Sequence, residues 1–406
     1  MSAGASSTVE VVIAVHSAAR PVRRAVDSVL RDPVGADVVV VAHNLDPAAL
    51  DPQLGDLVPA DAARVRVVPL ADGVHSPAGP FNAGIAQVRS EWFAIMGSDD
   101  WLEEGALSEW FAATGSSGAG AAPDVVLAPL RHQSGEDVPT PLPRPGRTTA
   151  LDAVRDRLFY RTAPLGLIRT ATWRTTGAEL DGRVRTGEDI EASARLWSSG
   201  ARVDYARHAP RYVIGADATD RITTAPAPAA DVLAAVVLTA RARWACERPA
   251  PVRRSLAVKL ARTHVLGLVT SRDTRGAALT EDDARALHEA MAAVHALSDA
   301  WRGAFTRADR WVLEACVRAG TTAAQIQAAA RRRAAAAPWT RNVPSPVWHL
   351  LDRESTLVRY AVTALDARAV RRGAGARRTP PDHRSPDHRS PDPRPTDPRP
   401  TDGAAA

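Results

Sequence analysis

The sequence predicts an α/β protein with a mostly parallel sheet flanked by helices, followed by an α-helical C-terminal region and a disordered tail. Three observations lead to this prediction. Runs of β-branched residues alternate with helical stretches over the first hundred residues, the region from about 229 to 371 has a helical pattern, and the end repeats a proline-rich unit. Strands that alternate with helices favour a parallel sheet covered on both faces.

The predicted sheet begins with the segment 9–15 (VEVVIAV), a β-branched run that suits a buried strand. Residues 20–31 then place apolar side chains at helical spacing. Further strands are predicted at 38–42, 65–69, 92–96 and 123–130, with helices at 47–57 and 80–90. Because open sheets of this kind bind ligands beyond the carboxyl ends of their strands, we expect function after Val15, Val41 and Met96.

The second half of the chain is predicted to be mainly helical. After a Pro- and Arg-rich loop at 131–149, residues 150–215 mix short elements with a helix at 187–199, and helical stretches follow at 229–336 and 346–371. Residues 381–402 repeat a five-residue unit (PDHRS, PDHRS, PDPRP, TDPRP). Proline at this density cannot pack a core. The predicted parts are a sheet-containing domain (1–225), a helical region (226–375) and a disordered tail (376–406).

Composition narrows the functional classes. The two cysteines cannot build a disulfide framework, and no apolar run reaches the roughly 18 residues of a membrane span. The positive charge is concentrated at 331–378, which contains eleven arginines and three acids. The rest of the chain is therefore near neutral, and we expect no nucleic-acid partner. The first residues lack the basic and hydrophobic regions of a signal peptide, and we expect a cytoplasmic protein.

Two carboxylates follow the strand predicted at 92–96. In the stretch IMGSDDWLEEGAL, Asp99 and Asp100 stand at a strand end, before a turn and a helix. Hard oxygen ligands at such a place suit Mg²⁺ or Mn²⁺, which in turn binds a diphosphate. The alternative is an Asp pair that caps the following helix.

A second acidic group, Glu188 and Asp189, opens the helix predicted at 187–199. Acids in a first helical turn are common because they complement the helix dipole, so this group taken alone favours a structural role. A third signal, which carries little weight alone, is the stretch PAGPFNAGI, where Asn82 stands in a Gly- and Pro-rich turn and either caps a helix or contacts a ligand.

Together and in this order, these segments resemble family 2 glycosyltransferases. The start VEVVIAVHSAARPVRRAVDSVL is similar to the family's first strand and helix, and SPAGPFNAGIAQVRSEWFAIMGSDDWLEEGAL to the stretch that ends in its DxD-type metal motif. The segment GEDIEASARLWSSG resembles the later Glu-Asp segment that supplies the catalytic base. The resemblance covers roughly residues 9–215 and implies a GT-A fold and an inverting, single-displacement transfer of a hexose-like sugar from a nucleotide-sugar donor to an acceptor hydroxyl.

The resemblance also implies roles for individual residues. Asp99, with Asp100 beside it, would bind a divalent cation, Mn²⁺ or Mg²⁺, that neutralises the departing nucleoside diphosphate. Asp189 would be the general base toward the acceptor, with Glu188 adjacent. The residues expected to contact the donor are Ala14, Val15, His16, His43, Asn44, Asn82 and Ser98.

Three positions depart from the family pattern. Gly97 stands where the usual motif has its first Asp, and Ala42-His43-Asn44 replaces the common acidic pair that contacts the nucleoside. The region after Tyr212 lacks the histidine often found there. These departures motivate a competing hypothesis, a catalytically degenerate GT-A-like binding or partner protein, whereas the presence of both acidic groups argues for an active enzyme.

A basic amphipathic stretch lies at 347–372, where large apolar residues alternate with arginines. Such a helix can lie on an anionic membrane surface, and the alternative is a helix docked on the protein's own body. The resemblance suggests a glycan, lipid-linked or envelope acceptor, and with it a peripheral position at the inner face of the membrane. The sugar and the base of the donor stay open.

Overall fold

The computed structural model describes residues 7–115, 121–217, 227–344 and 346–377 and has the predicted α/β architecture. Most of the predicted tail, 378–406, and the predicted boundary near residue 225 lie outside the described residues. The strands are β1 (Val9–Val15), β2 (Asp37–His43), β3 (Val65–Leu70), β4 (Trp92–Gly97), β5 (Trp101–Leu102), β6 (Val125–Leu127), β7 (Leu130–His132), β8 (Asp137–Val138), β9 (Gly166–Arg169), β10 (Val203–Tyr205) and β11 (Tyr212–Ile214).

Seven of these strands form the main sheet, in the order β10-β6-β9-β4-β1-β2-β3. Neighbours are parallel except around β9, which runs antiparallel to both β4 and β6. A second sheet has the order β5-β11-β7-β8. The mostly parallel sheet predicted from the first hundred residues is therefore confirmed, and the loop predicted at 131–149 contains the short strand β8.

The helices are α1 (Val22–Leu30), α2 (Asp51–Leu54), α3 (Pro59–Ala62), α4 (Ala78–Ala86), α5 (Ala106–Gly115), α6 (Thr170–Thr176), α7 (Asp189–Trp197), α8 (Ala229–Arg241), α9 (Arg243–Cys246), α10 (Ala250–Lys259), α11 (Gly267–Thr274), α12 (Glu281–Leu297), α13 (Arg307–Val317), α14 (Ala323–Ala334), α15 (Pro338–Asn342) and α16 (Thr356–Arg377). A π-helical segment, Leu260–Leu266, connects α10 to α11. The 3₁₀ helices are Pro47–Leu50, Leu158–Tyr160, Asp299–Ala304 and Val347–Leu351.

Strand β1 shows why the sheet is covered on both faces. Its side chains alternate between faces, so Val11 and Ile13 pack on one side with α1, whereas Val12 packs on the other side with α4. Helix α4 approaches closely because Gly84 faces the sheet: a Cβ at this position would lie 2.3 Å from Cγ1 of Val12. The β-branched side chains of β1 thus belong to two separate hydrophobic clusters, one on each face of the sheet.

The C-terminal region is helical as predicted, with α8 packed along α12. Helix α12 begins at a capping box, in which the Thr280 hydroxyl accepts a hydrogen bond from the backbone of Asp283 and the Asp283 carboxylate accepts one from the backbone of Thr280. Within the described residues, no helix is long and apolar enough to cross a membrane.

The single helix predicted at 346–371 is divided in the structure. The 3₁₀ turn Val347–Leu351 is followed by a break, and α16 begins only at Thr356. The break exists because Glu354 turns inward, where its carboxylate accepts hydrogen bonds from the Tyr160 hydroxyl (3.1 Å) and the Ser255 hydroxyl (3.1 Å). A buried carboxylate needs such partners, and this requirement overrides the helical pattern of the sequence.

Candidate active site

A cleft of about 570 Å³ opens beyond the carboxyl ends of β1, β2 and β4, where the topology of the sheet predicts a ligand. The residues that line it are Ala14, Val15, His16, Arg20, His43, Asn44, His75, Ser76, Pro77, Pro80, Phe81, Gly97, Ser98, Asp99, Asp100, Arg185 and Ile214. A larger hollow of about 900 Å³ lies elsewhere, where 250–255 approach 295–300 and 351–354. All the residues predicted to bind a donor or a metal, except Asn82, line the first cavity, and none of them lines the second.

One end of the cleft is built by β2 and the loop after β3. Nε2 of His43 lies 2.8 Å from Oδ1 of Asp72, and the Asn44 amide donates to the same carboxylate at 3.2 Å. The Asn44 carbonyl accepts from the backbone of Gly73 at 2.9 Å, while Asn44 itself has φ 51°, a conformation that Asn tolerates better than most residues. A backbone hydrogen bond from Val74, together with His43, lowers the pKa of Asp72.

This cluster bears on the second departure from the family pattern. No acid follows β2, but Asp72, which comes after β3, bonds to His43 there; the sequence did not single it out because it follows a different strand. The end of the cleft thus offers an imidazole and an amide, held by the Asp72 carboxylate, and these two groups can donate to and accept from a nucleobase or ribose.

Asp99, in the loop after β4, is held in the cleft by contacts with Arg20, just before α1, and with Arg24 in α1. Nη1 of Arg20 lies 3.0 Å from Oδ1 of Asp99, and both side chains are about one-tenth exposed. Arg24 donates to the backbone oxygen of Asp99 and pairs with Asp217 at 2.7 Å. The guanidinium of Arg24 also stacks on Trp101, 4.2 Å from the ring centroid. These contacts place a positive and a negative charge side by side at the cleft wall.

Asp100 is held from the second sheet. The Tyr212 hydroxyl donates to Oδ2 of Asp100 and accepts from the backbone of Gly97 at 3.2 Å. The backbone of Gly215 donates to Oδ1 of Asp100 at 2.8 Å. Burial and the nearby Asp100 raise the pKa of Tyr212 well above its usual range, so the phenol stays protonated and available as a donor. Neither Asp99 nor Asp100 caps a helix through these bonds.

The two carboxylates converge on Gly97. A Cβ at this position would lie 2.8 Å from Oδ2 of Asp100 and 3.1 Å from Oδ1 of Asp99, so the absent side chain leaves a space bounded by both oxygens. Within the described residues, no three His, Cys, Asp or Glu side chains are grouped to hold a metal on their own. Mg²⁺ is commonly bound by one or two carboxylates together with substrate phosphates, and the pair Asp99 and Asp100 fits that mode of binding.

The second acidic group lies at the start of α7 and is half-buried. Burial and the neighbouring Asp189 raise the pKa of Glu188 to about 7. Burial also raises the pKa of Asp189, a rise that the Lys259 ammonium opposes. Neither carboxylate lines the cleft itself, but Arg185 does, and the Ser76 hydroxyl in the cleft donates to the backbone of Val184 at 3.1 Å. The segment leading to Asp189 therefore runs along the cleft edge.

Asn82 was predicted to contact the donor, but it does not line the cleft. Its amide donates to the backbone oxygen of Leu180 at 2.8 Å, and its carbonyl accepts from the backbone nitrogen of Leu180 at 3.1 Å. The side chain thus fastens α4 to the segment before α7. The assignment of Asn82 as a direct donor contact stays a prediction, and so do the roles of Glu188 and Asp189.

Several residues of the site were not predicted. Arg20 and Arg185 line the cleft, Tyr212 bonds to Asp100, and Asp72 bonds to His43. For Arg20 the signal in the sequence is its place just after the first strand end. The others follow from contacts between distant segments, for which a single sequence carries no local signal.

A comparison with family models matches residues 10–161 to "Glycosyl transferase family 2". No curated protein matches the sequence. The fold resembles the crystal structure of S. aureus TarS 1-349 in complex with UDP-GlcNAc, at 16% identity and a TM-score of 0.66, covering 80% of this chain and 91% of that one. The structure of TarS 1-349 in complex with UDP is similar at 16% identity and a TM-score of 0.63, covering 80% and 90%.

At this identity the structural likeness concerns the fold, which is of the predicted GT-A type. The structural match covers 80% of this chain, which is more than the sheet-containing part, so the likeness extends into the helical region. The family match ends before the Glu188 and Asp189 segment. The match to residues 10–161 includes the first strand and the loop with Asp99 and Asp100, and it confirms the resemblance to family 2 glycosyltransferases that the sequence predicted.

Proposed function

We propose that this protein transfers a hexose-like sugar from a nucleotide-sugar donor to an acceptor hydroxyl with inversion at the anomeric carbon. The observation that carries the proposal is the cleft beyond β1, β2 and β4, which joins a polar cluster at one end to Asp99 and Asp100 at the other. The family match of residues 10–161 supports sugar transfer, and the similar TarS structures contain UDP-GlcNAc or UDP.

The donor is placed along the cleft by charge. His43 and Asn44, both bonded to Asp72, would contact the nucleoside next to the β1 end at Ala14–His16. The diphosphate would extend toward Arg20 and Arg185, whose guanidinium groups suit phosphate oxygens. A divalent cation held by Asp99 and Asp100 would neutralise the charge that develops on the departing diphosphate.

Asp189 is proposed as the general base. It would take the proton from the acceptor hydroxyl as that oxygen forms a bond to the anomeric carbon, and the bond from this carbon to the diphosphate oxygen would break. The nucleoside diphosphate leaves with the bonding electron pair. Glu188, with its pKa raised to about 7, lies beside the base, where it can share or relay the proton.

The acceptor is proposed to be a glycan, lipid-linked or envelope molecule, reached by peripheral contact with a membrane through 347–372. Trp348 is 74% exposed and Leu351 is 90% exposed, and Val347 and Tyr360 are exposed nearby. Asp352 is already paired with Arg254 at 2.5 Å and Glu354 is buried, so exposed Arg353 contributes positive charge. Exposed aromatic and aliphatic side chains beside arginine suit an anionic membrane surface.

Co-sedimentation with phosphatidylglycerol vesicles tests the membrane contact. We expect binding that weakens at high salt and in the double variant Trp348→Ser/Leu351→Ser, and less binding to phosphatidylcholine vesicles. Val58→Ser is the matched control, because Val58 is 58% exposed on the other domain. Equal binding by the double variant and the wild type contradicts the contact.

A thermal-shift screen of nucleotide sugars, with and without Mn²⁺, tests the transfer proposal, since a ligand that binds only the folded state raises its stability. The stabilising donor is then incubated with candidate acceptors, and the anomeric configuration of the product is read by NMR. Inverted product supports the proposal. Donor binding without transfer to any acceptor, or hydrolysis, favours the degenerate binding protein, and retained configuration contradicts inversion.

A further inference from the structure

Arg20 stands between the carboxyl end of β1 and the start of α1, and it is 8% exposed. Its guanidinium reaches the loop after β4, where Nη1 lies 3.0 Å from Oδ1 of Asp99. Both side chains line the cleft. The positive charge of Arg20 therefore lies against one of the two carboxylates that are proposed to bind a divalent cation.

The oxygen of Asp99 that Arg20 contacts also faces the other carboxylate. A Cβ on Gly97 would lie 3.1 Å from Oδ1 of Asp99 and 2.8 Å from Oδ2 of Asp100, so these two oxygens bound the same space. A cation shared by the two carboxylates would take Oδ1 of Asp99 as a ligand. Two positive charges at one carboxylate oxygen repel each other strongly where little solvent screens them, so Arg20 and such a cation compete for this oxygen.

The two carboxylates are fixed in place by contacts that do not involve Arg20. The Arg24 guanidinium donates to the backbone oxygen of Asp99, and a Cβ on Gly215 would lie only 1.8 Å from the same oxygen. Asp100 accepts hydrogen bonds from the Tyr212 hydroxyl and from the backbone of Gly215. A change of partners at Asp99 therefore requires the Arg20 side chain to move.

The backbone of Arg20 is fixed as well. Its carbonyl accepts hydrogen bonds from the Gln53 amide at 2.9 Å and from the backbone of Val22 at 2.8 Å. Its N–H donates to the backbone oxygen of Ser17 at 3.1 Å. Movement is thus restricted to the side chain of Arg20, whose guanidinium has enough donors to bind phosphate oxygens instead of a carboxylate.

We propose that Arg20 makes cation binding depend on the donor: its guanidinium pairs with Asp99 and opposes the cation until the donor's diphosphate takes the guanidinium as its own partner. The diphosphate then frees the carboxylate and brings its own oxygens to the cation. This inference rests on the proposed function in that it takes Asp99 and Asp100 as the cation's ligands. Because linkage is reciprocal, the cation and the donor strengthen each other's binding by the same factor.

A titration with Mn²⁺ alone, followed by the electron paramagnetic resonance signal of free Mn²⁺, tests the competition without any measurement of activity. Arg20→Gln should bind Mn²⁺ about tenfold more tightly than the wild type, because the competing charge is gone. Arg20→Lys keeps the charge and should stay closer to the wild type. Arg185→Gln is the matched control, because it removes another positive charge that lines the same cleft, and it should change the affinity much less.

Equal Mn²⁺ affinities of the wild type and Arg20→Gln overturn the proposal. An equal gain in Arg185→Gln also overturns it, because the effect would then come from the net charge of the cleft. In the double variant Arg20→Gln/Asp99→Asn the gain should disappear, and a gain that persists places the Mn²⁺ elsewhere and contradicts the proposal. Circular dichroism establishes folding, and Arg20→Met, with the same expected result, replaces Arg20→Gln if that variant does not fold.

The second partner of Arg20 is tested by calorimetric titration with pyrophosphate in EDTA, a probe that carries the diphosphate without a nucleoside or a metal. Asp99→Asn releases Arg20 and should bind pyrophosphate about fivefold more tightly than the wild type, whereas Arg20→Gln should bind it more weakly. Glu104→Gln, at an exposed position, is the control for the loss of an acid. An Asp99→Asn protein that binds pyrophosphate no more tightly than the wild type contradicts the exchange.

Neither titration requires sugar transfer, so the two proposals fail separately. If the Mn²⁺ and pyrophosphate affinities change as expected but no sugar is transferred, the proposed function is wrong and the exchange of Arg20 stands. If sugar is transferred but Arg20→Gln leaves the Mn²⁺ affinity unchanged, the exchange is wrong and the proposed function stands.

Discussion

The Tyr212 hydroxyl donates a hydrogen bond to the carboxylate of Asp100, although 112 positions separate the two residues. Tyr212 belongs to the smaller sheet and Asp100 follows the central strand β4 of the larger one. The bond therefore makes the geometry of the acid loop depend on how the two sheets pack. It also leaves Asp100 oriented before any ligand arrives.

We expect Tyr212→Phe to lower the free energy of unfolding by about 2 kcal/mol, because a buried hydrogen bond to a charged group is lost. Donor binding should weaken as Asp100 becomes mobile. Urea unfolding and donor titration measure the two effects. Tyr360→Phe is the control, since that side chain is 61% exposed, and a Tyr212→Phe protein as stable as this control contradicts the expectation.

Asp99→Asn should weaken donor binding at least tenfold in Mn²⁺, because the variant loses a charged oxygen ligand. It should also abolish the difference between Mn²⁺ and EDTA in the binding titration. Glu104→Gln, an exposed acid a few residues away, should behave as the wild type. If EDTA leaves the wild-type affinity and rate unchanged, the metal assignment of Asp99 and Asp100 is wrong.

Asp189→Asn should reduce kcat by about 10²–10⁴-fold, the usual contribution of a positioned general base, while the donor still binds. The exposed Asp282→Asn serves as the matched substitution. Circular dichroism establishes that both variants fold, and single-turnover rates measure the chemical step. Turnover by Asp189→Asn close to that of the control removes Asp189 from the role of base.

Gly215→Ala should destabilise the protein by about 1–3 kcal/mol, the usual cost of inserting a methyl group into a filled site. A Cβ at this position would lie 1.8 Å from the backbone oxygen of Asp99, so the acid loop must shift. Gly182→Ala is the control, because nothing lies within 4 Å of its Cβ position. In thermal unfolding, Gly215→Ala should melt at a lower temperature than Gly182→Ala. Equal melting temperatures would falsify the close packing of Gly215 against the backbone of Asp99.

Stability should depend on pH through Glu188, whose pKa is raised from 4.5 to about 7 in the folded state. Between these values the folded protein keeps a proton that the unfolded chain has released, so stability falls as pH rises from 4.5 to 7 and then levels off. Glu188→Gln removes this contribution. The free energy of unfolding of the wild type, relative to that of Glu188→Gln, should therefore be highest below pH 4.5 and lowest above pH 7. Urea unfolding at several pH values measures this difference, and the control Glu136→Gln, at an exposed position, should show no such trend.

Local sequence patterns were sufficient to predict the first four strands of the sheet and the order of the acidic groups. Strand β1 was predicted with its observed bounds and β3 to within a residue, because β-branched runs favour buried strands whatever surrounds them. The position of Asp99 at a strand end follows from the same local pattern. Short strand β9 was not predicted, since four residues carry little pattern and its central place depends on pairing with β4 and β6.

Only the tertiary structure decided which charges meet. Asp72 reaches His43 from the loop after β3, and Tyr212 reaches Asp100 from the second sheet. The spacing of such a pair along the chain does not reveal the contact, because the distance between two distant groups depends on how their elements pack. Local patterns therefore predict elements and strand-end residues, whereas the electrostatics of a site emerges only when distant elements pack together.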